Sequence, residues 1–198
     1  MIIWVNGAFG SGKSQTAYEL QRRISDSFIY DPENVGFFIR KNIPAEVKKN
    51  DFQDYPMWRE VNYTMLKHIN NHYEGTIIVP MTIVNPQYFE EIVGRLRSDR
   101  ISINHFVLCA TKEVLQKRLR SRGERKNSWA EQQIDRCVEG LSNSIFEQHI
   151  DTNKLTIEDV VIQIASLSNI NLLPDNRGAF RKKYDKIKTQ IKQIRLIN

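Results

Sequence analysis

Apolar residues recur along this chain with two different periods, and the alternation between them marks out strands and helices in turn. Met1-Ile2-Ile3-Trp4-Val5, Ser27-Phe28-Ile29-Tyr30, the run from Thr76 to Val84, His105-Phe106-Val107-Leu108-Cys109-Ala110 and His149-Ile150-Asp151 read as short strands, the first and third as strands covered on both faces. Between them apolar residues fall at helical spacing: Ala17, Leu20 and Ile24; Phe89, Ile92, Val93 and Leu96 behind Pro86; Val114, Leu115 and Leu119 behind Thr111. Thr111, Ser128 or Asn127, and Thr156 stand where helix amino-terminal caps are needed, with Glu113 and Glu158-Asp159 in first turns. Strands alternating with helices predict one α/β domain.

Two stretches depart from this rhythm. The interval from Glu33 to Glu74 is too long for a simple connection and must hold helices of its own. Phe37, Phe38, Phe52, Tyr55, Trp58 and Tyr63 crowd into it beside Arg40 and Arg59, a composition suited to a planar, partly charged ligand or to a small helical core. Arg40, Tyr55, Trp58 and Arg59 are its candidate ligand contacts. Beyond Pro174, Phe180, Tyr184, Ile187, Ile191 and Ile194 step by four, three, four and three, which predicts one narrow apolar stripe on a helix.

With 198 residues, 40% hydrophobic and 26% charged, the chain has the size and balance of a single globular domain with an appendage. We divide it into residues 1–169, with an insert over about 33–75 and a lid over about 117–127, and a tail over 170–198. The net charge of +6 sits in the tail: Arg177 to Asn198 holds eight Lys or Arg against Asp185 alone, leaving the body close to neutral. No apolar run approaches the ~20 residues of a membrane span. The amino terminus lacks a basic leader, so a cytoplasmic protein is the expectation, and no nucleic-acid partner is read. Cys109 and Cys137 fit no metal or disulfide spacing and are expected as free thiols.

The chemistry starts at Gly7-Ala8-Phe9-Gly10-Ser11-Gly12-Lys13-Ser14, which fits G-x-x-x-x-G-K-[ST] between a strand and a helix. Glycines let the backbone wrap a phosphate, and the helix amino terminus adds N–H donors and partial positive charge. Lys13 would reach the β and γ phosphates of ATP and Ser14 would offer its hydroxyl to Mg²⁺. Asp31 ends the second strand, at the sheet edge where ligands bind. It is a candidate for Mg²⁺ coordination through water or for general base, or else an Asx-turn residue before Pro32. The third strand offers Thr82 where a Walker B carboxylate would stand. Lys117, Arg118, Arg120, Arg122, Arg125 and Lys126 surround Gly123 as a lid that could close over phosphates, with Arg118 and Arg122 on one helical face. Arg136 is placed to reach the nucleotide from the next helix. His68 and His72 have no evident third ligand and are read as a solvated face.

The loop, Asp31 and the lid resemble the nucleoside monophosphate kinase and small-molecule kinase branch of phosphate-loop proteins. More closely, Asn6 to Lys13, Tyr30-Asp31-Pro32-Glu33, Ile78 to Val84, Lys126-Asn127-Ser128-Trp129 and Ile134 to Leu141 resemble the bacterial ATP-binding tunicamycin resistance proteins. The resemblance implies a kinase-like, three-layer α/β fold with five parallel strands in order 2-3-1-4-5, ATP binding, and resistance to a nucleoside antibiotic. The expected activity is phosphorylation of a hydroxyl on tunicamycin or a related compound. Sequestration of the drug without chemistry, and a metabolite kinase of shikimate or gluconate type, stand as alternatives. The tail, Arg177 to Asn198, suits either an anionic membrane surface or packing on its own domain or a second subunit.

Overall fold

The computed structural model describes residues 1–193, with side-chain surroundings through Gln190; Ile194, Arg195 and the side chains of Ile191 and Lys192 lie outside what is described. Five strands, β1 (Ile2–Gly7), β2 (Ser27–Ile29), β3 (Thr76–Pro80), β4 (Ile103–Cys109) and β5 (Gln148–Asp151), form one parallel sheet in the order β2-β3-β1-β4-β5. β1 lies at the centre, with Ile3 opposite Ile78 of β3 and Val5 opposite Phe106 of β4. Pro80 ends the regular pairing of β3, since it has no N–H to give the ladder, and Met81 to Ile83 continue as a buried irregular segment.

The helices are α1 (Lys13–Arg23), α2 (Glu33–Asn42), α3 (Pro56–His72), α4 (Pro86–Phe89), α5 (Arg95–Ser98), α6 (Lys112–Arg120), α7 (Trp129–Gln132), α8 (Ile134–Leu141), α9 (Ile157–Leu167) and α10 (Ala179–Gln193). α4 runs into α5 through a π-helical turn, Glu90–Gly94. Thr111, Ser128 and Thr156 accept backbone N–H bonds as caps, and Thr156 with Asp159 completes a capping box.

Strand periodicity sorts the core into two layers. Ile2 and Trp4, with Ile77, Val79 and Val107, face Leu66 of α3, Phe89 and Leu96 around the π turn, and Ile134 and Leu141 of α8. Ile3 and Val5, with Ile78, Phe106 and Leu108, face Ala17 and Leu20 of α1 and Val160, Val161 and Ile164 of α9. Each fully buried aliphatic or aromatic side chain contributes about 2 kcal/mol, which is why both faces of so apolar a strand must be covered.

The tail packs on the domain through its polar face. Among the described residues of α10 the buried side chains are Asp185 and Thr189, while Phe180, Tyr184 and Ile187 of the apolar stripe are exposed. Arg177 makes this possible by bonding to Glu19 of α1 and to Asp175 and Asp185 (2.7 and 2.9 Å). Its guanidinium holds the Asp175 carboxyl well below the usual carboxylate range. Gln15 of α1 also donates to the Lys186 carbonyl (3.0 Å). Arg177→Ala leaves three largely buried carboxylates without their shared cation. The urea unfolding free energy is expected to fall by about 3 kcal/mol; a change below about 0.5 kcal/mol would contradict this packing.

Candidate active site

The site begins one residue before the glycine loop. Asn6, the penultimate residue of β1, is fully buried and uses all four of its side-chain hydrogen-bonding capacities. Its Oδ1 accepts from the N–H groups of Gly7 (2.8 Å) and Ile83 (3.1 Å), and its Nδ2 donates to the Ile83 carbonyl (2.9 Å) and meets His105 Nε2 at 3.2 Å. His105 Nδ1 lies 3.0 Å from the Phe146 carbonyl, which fixes the tautomer: Nδ1 donates and Nε2 accepts from Asn6. Burial pushes the His105 pKa down to about 3, so the ring stays neutral. The start of the phosphate loop is thereby tied to β4 and to the segment after β3.

The loop has the shape its glycines allow. Gly7, at φ 146°, could not carry a Cβ, which would fall 2.6 Å from Ser11 Oγ and 2.8 Å from the Leu108 carbonyl; at Gly10, φ 85°, it would fall 2.8 Å from the Leu115 carbonyl. Lys13 Nζ donates to the carbonyls of Gly7 (2.9 Å) and Ala8 (3.0 Å), at the mouth of the loop. Burial pushes its pKa down to about 8, against the opposing influence of Cys137 and Glu33. Ser11 Oγ is buried in the loop and has no hydrogen-bond partner among the described residues. Among the described residues, a half-buried cation hydrogen-bonded only to carbonyls, a hydroxyl without a partner and a cradle that excludes Cβ atoms together fit a polyphosphate.

Two cavities meet beside the loop. One, about 240 Å³, is lined by Gly10, Gly12, Lys13 and Ser14, by Arg122 from the lid and by Gln190 from α10. The other, about 300 Å³, has aromatic walls, Phe9, Phe37, Phe52 and Trp129, with Arg40, Arg136 and Thr82 among its polar groups. Phe9 and Glu33 belong to both. Phe9 stands edge-on to Trp129 with centroids 5.1 Å apart. A larger cavity of about 650 Å³ lies between α1 and α10 and shares no residue with the loop.

The candidate residues divide accordingly. Lys13, Ser14 and Arg122 come together on the phosphate side. Arg118 grips the loop from outside, bonding to Thr152 (Oγ1 3.1 Å, carbonyl 2.5 Å) and the Ser11 carbonyl (3.5 Å), and does not line the phosphate cavity. Arg136, expected at the nucleotide, opens instead on the aromatic cavity and pairs with Asp51 (3.3 Å), because α8 crosses on that side. Arg40 and Thr82 do line the aromatic cavity. Tyr55, Trp58 and Arg59 are buried behind it: Trp58 Nε1 donates to the Pro32 carbonyl (3.0 Å), and Arg59 is paired with Glu91. Asp31 lies in the turn that Trp58 holds, where its Oδ1 accepts from the Glu33 N–H (3.0 Å), and it lines an apolar groove with Phe28, Phe38 and Met57. Glu33, Asp51, Gln53 and Trp129 were missed as wall residues. A carboxylate two positions after Asp31, in the first turn of a helix, was the signal available for Glu33.

Parallel sheet, strand order and phosphate loop define a P-loop nucleotide-binding protein of kinase-like fold, and a family model described as an AAA domain matches residues 3–153. The chain belongs to this family, and it is 30% identical to the Deinococcus radiodurans tunicamycin resistance protein, with a TM-score of 0.74 over 88% of this chain and 99% of that one. At that identity and coverage it belongs with the tunicamycin resistance proteins. A gluconokinase from Sinorhizobium meliloti (17% identical, TM-score 0.62, 84% of this chain and 91% of that one) shares the fold. So does a shikimate kinase from Bacteroides thetaiotaomicron (15%, 0.57, 86% and 99%). No match was found among the curated proteins.

Two outcomes test the site. A Lys13 with a pKa of about 8 must take up a proton to bind phosphate above that pH, so Mg·ATP affinity should fall only about twofold from pH 7 to 8 and then by up to about tenfold per unit. Proton uptake measured by calorimetry at pH 9 checks this, and a pH-independent affinity would contradict it. Because the folded His105 titrates far below an unfolded histidine, its contribution to stability is complete above about pH 6.5 and is lost as pH falls toward 3. The wild type should therefore lose up to about 1.4 kcal/mol per pH unit more than His105→Gln across that window.

Proposed function

We propose that the protein transfers the γ-phosphoryl group of ATP to a hydroxyl of tunicamycin or a similar nucleoside-type compound, and that this confers resistance to the drug. The observation that carries the reading is the meeting of two cavities at Glu33 and Phe9, one built for phosphates and one for an aromatic or sugar-like acceptor. The loop and Lys13 hold the phosphates, and Arg122 answers the charge that spreads over the transferring group. Mg²⁺, when bound, neutralises phosphate charge, and Ser14 would hold it; Asp31, on the apolar groove, does not line the phosphate cavity. Among the described residues no cluster of three His, Cys, Asp or Glu could hold a metal, which fits an ion carried in with the nucleotide.

The base assignment moves from Asp31 to Glu33. Asp31 faces the apolar groove and secures the turn, whereas Glu33 lies between the two cavities, where an acceptor proton must leave. Glu33→Gln should lower turnover at least about 100-fold with ATP affinity kept, and Asp31→Asn less than about tenfold. The reverse order would return the role to Asp31.

Incubation with Mg·ATP and tunicamycin, followed by mass spectrometry of the drug, tests the reading as a whole. Gain of one phosphoryl group supports it; tight binding at unchanged mass favours sequestration, a reading that the absence of a carboxylate at Thr82 keeps in view. Turnover of shikimate or gluconate with no drug binding would favour a metabolite kinase.

Residues 1–169 form the catalytic unit in this reading, and the tail brings it to the cytoplasmic face of an anionic membrane. The exposed Phe180, Tyr184 and Ile187, flanked by Lys183, Lys186 and Lys188, support that placement. No helix among the described residues is long and apolar enough to cross a membrane. Phe180→Ser with Ile187→Ser should abolish partition onto phosphatidylglycerol vesicles; undiminished partition would refute the placement.

A further inference from the structure

Thr82 occupies the place after β3 where a carboxylate was sought, and its hydroxyl donates to the Gly7 carbonyl (2.8 Å). That carbonyl also accepts from Lys13 Nζ (2.9 Å), so both of its lone pairs are in use. On its other side, the Thr82 carbonyl accepts from Gln53 Nε2 (3.0 Å). Gln53 belongs to a short 3-10 turn, Phe52–Asp54, which forms one wall of the aromatic cavity. Its N–H donates to Asp51 Oδ1 (3.0 Å) and its carbonyl accepts from Arg59 Nη1 (2.5 Å), with Arg59 in turn paired to Glu91. Asp51 is also held by Arg136 (3.3 Å). Thr82, Gln53 and Arg59 are all buried, so a bond broken among them is poorly replaced by water.

We propose that Thr82 and Gln53 are positioning residues through which nucleotide bound at the phosphate loop orders the wall of the acceptor cavity. Lys13 Nζ carries three N–H groups, two of them on the Gly7 and Ala8 carbonyls, and in this proposal its turn toward phosphate oxygens withdraws the one on Gly7. The buried carbonyl then keeps one protein donor, the Thr82 hydroxyl, and leaving it unmet would cost about 1–3 kcal/mol. Loading the loop therefore raises the penalty for any displacement of Thr82, and Thr82 carries the Gln53 side chain and its turn with it. By linkage, an acceptor that orders the same wall strengthens nucleotide binding by the same factor. The inference rests on nucleotide binding at the loop and is independent of which acceptor is used and of whether a phosphoryl group is transferred.

The test is hydrogen exchange over residues 50–59, with and without saturating Mg·AMP-PNP, alongside calorimetry of AMP-PNP binding. In the wild type, nucleotide should slow exchange in this segment at least about fivefold. Thr82→Val should weaken AMP-PNP about fivefold to tenfold and lose the slowing, whereas Thr82→Ser, which keeps the hydroxyl, should restore both. Gln53→Leu should bind AMP-PNP within about threefold of the wild type yet show no slowing. If Gln53→Leu fails to fold, the Thr82 pair decides the matter alone. Slowing retained in Thr82→Val, or absent in the wild type with nucleotide bound, would overturn the proposal. Calorimetry that detects no AMP-PNP binding would overturn the nucleotide reading and this coupling with it.

Discussion

The side chain of Asn6 is the constraint on which the rest of the site depends. A buried primary amide is costly unless every donor and acceptor is met. Asn6 meets all of its own by joining the first loop N–H, both backbone groups of Ile83, and a histidine that burial keeps neutral. One polar group thus sets the direction in which the chain leaves β1 and the path after β3, and it donates to the His105 nitrogen that the Phe146 carbonyl leaves as an acceptor. The glycine loop is the visible consequence: its carbonyls turn toward Lys13 because the strand that delivers it is pinned from behind.

From this anchor the functional geometry follows in layers. Trp58, buried among the helices of the insert, holds the Pro32 carbonyl and so places Glu33 at the first turn of α2. Arg59 holds Gln53, and Gln53 holds Thr82. The wall of the aromatic cavity is therefore not a free loop laid over the sheet. It is attached to the phosphate loop by buried hydrogen bonds, and the aromatic residues that look like ligand contacts divide into walls, such as Phe37 and Phe52, and supports, such as Trp58.

What could be read before the structure was what is local. The glycine spacing, the caps at Thr111, Ser128 and Thr156, and the two faces of β1 and β3 depend on neighbours a few residues away, and the strand order followed from the resemblance. Residues that act across the insert were harder, because facing the ligand and lying behind it produce the same composition. Trp58 and Arg59 lie behind the aromatic cavity, Arg136 opens on that cavity, and Asp31 lines the apolar groove while Glu33 borders both cavities. The tail stripe was legible from its period, but its outward direction was not. That direction follows from Arg177, whose three carboxylate partners come from α1, the preceding loop and α10 itself.

The central claim is that a nucleotide held by the loop presents its γ-phosphate to the aromatic cavity across the boundary formed by Phe9 and Glu33. A crystal structure with Mg·AMP-PNP measures this directly. The account predicts phosphates wrapped by Gly7 to Ser14, Lys13 moved from the Gly7 carbonyl to phosphate oxygens, and the γ-phosphorus facing the cavity beside Glu33. A γ-phosphate directed away from that cavity, or a nucleotide bound elsewhere with Lys13 still on the Gly7 and Ala8 carbonyls, would contradict it.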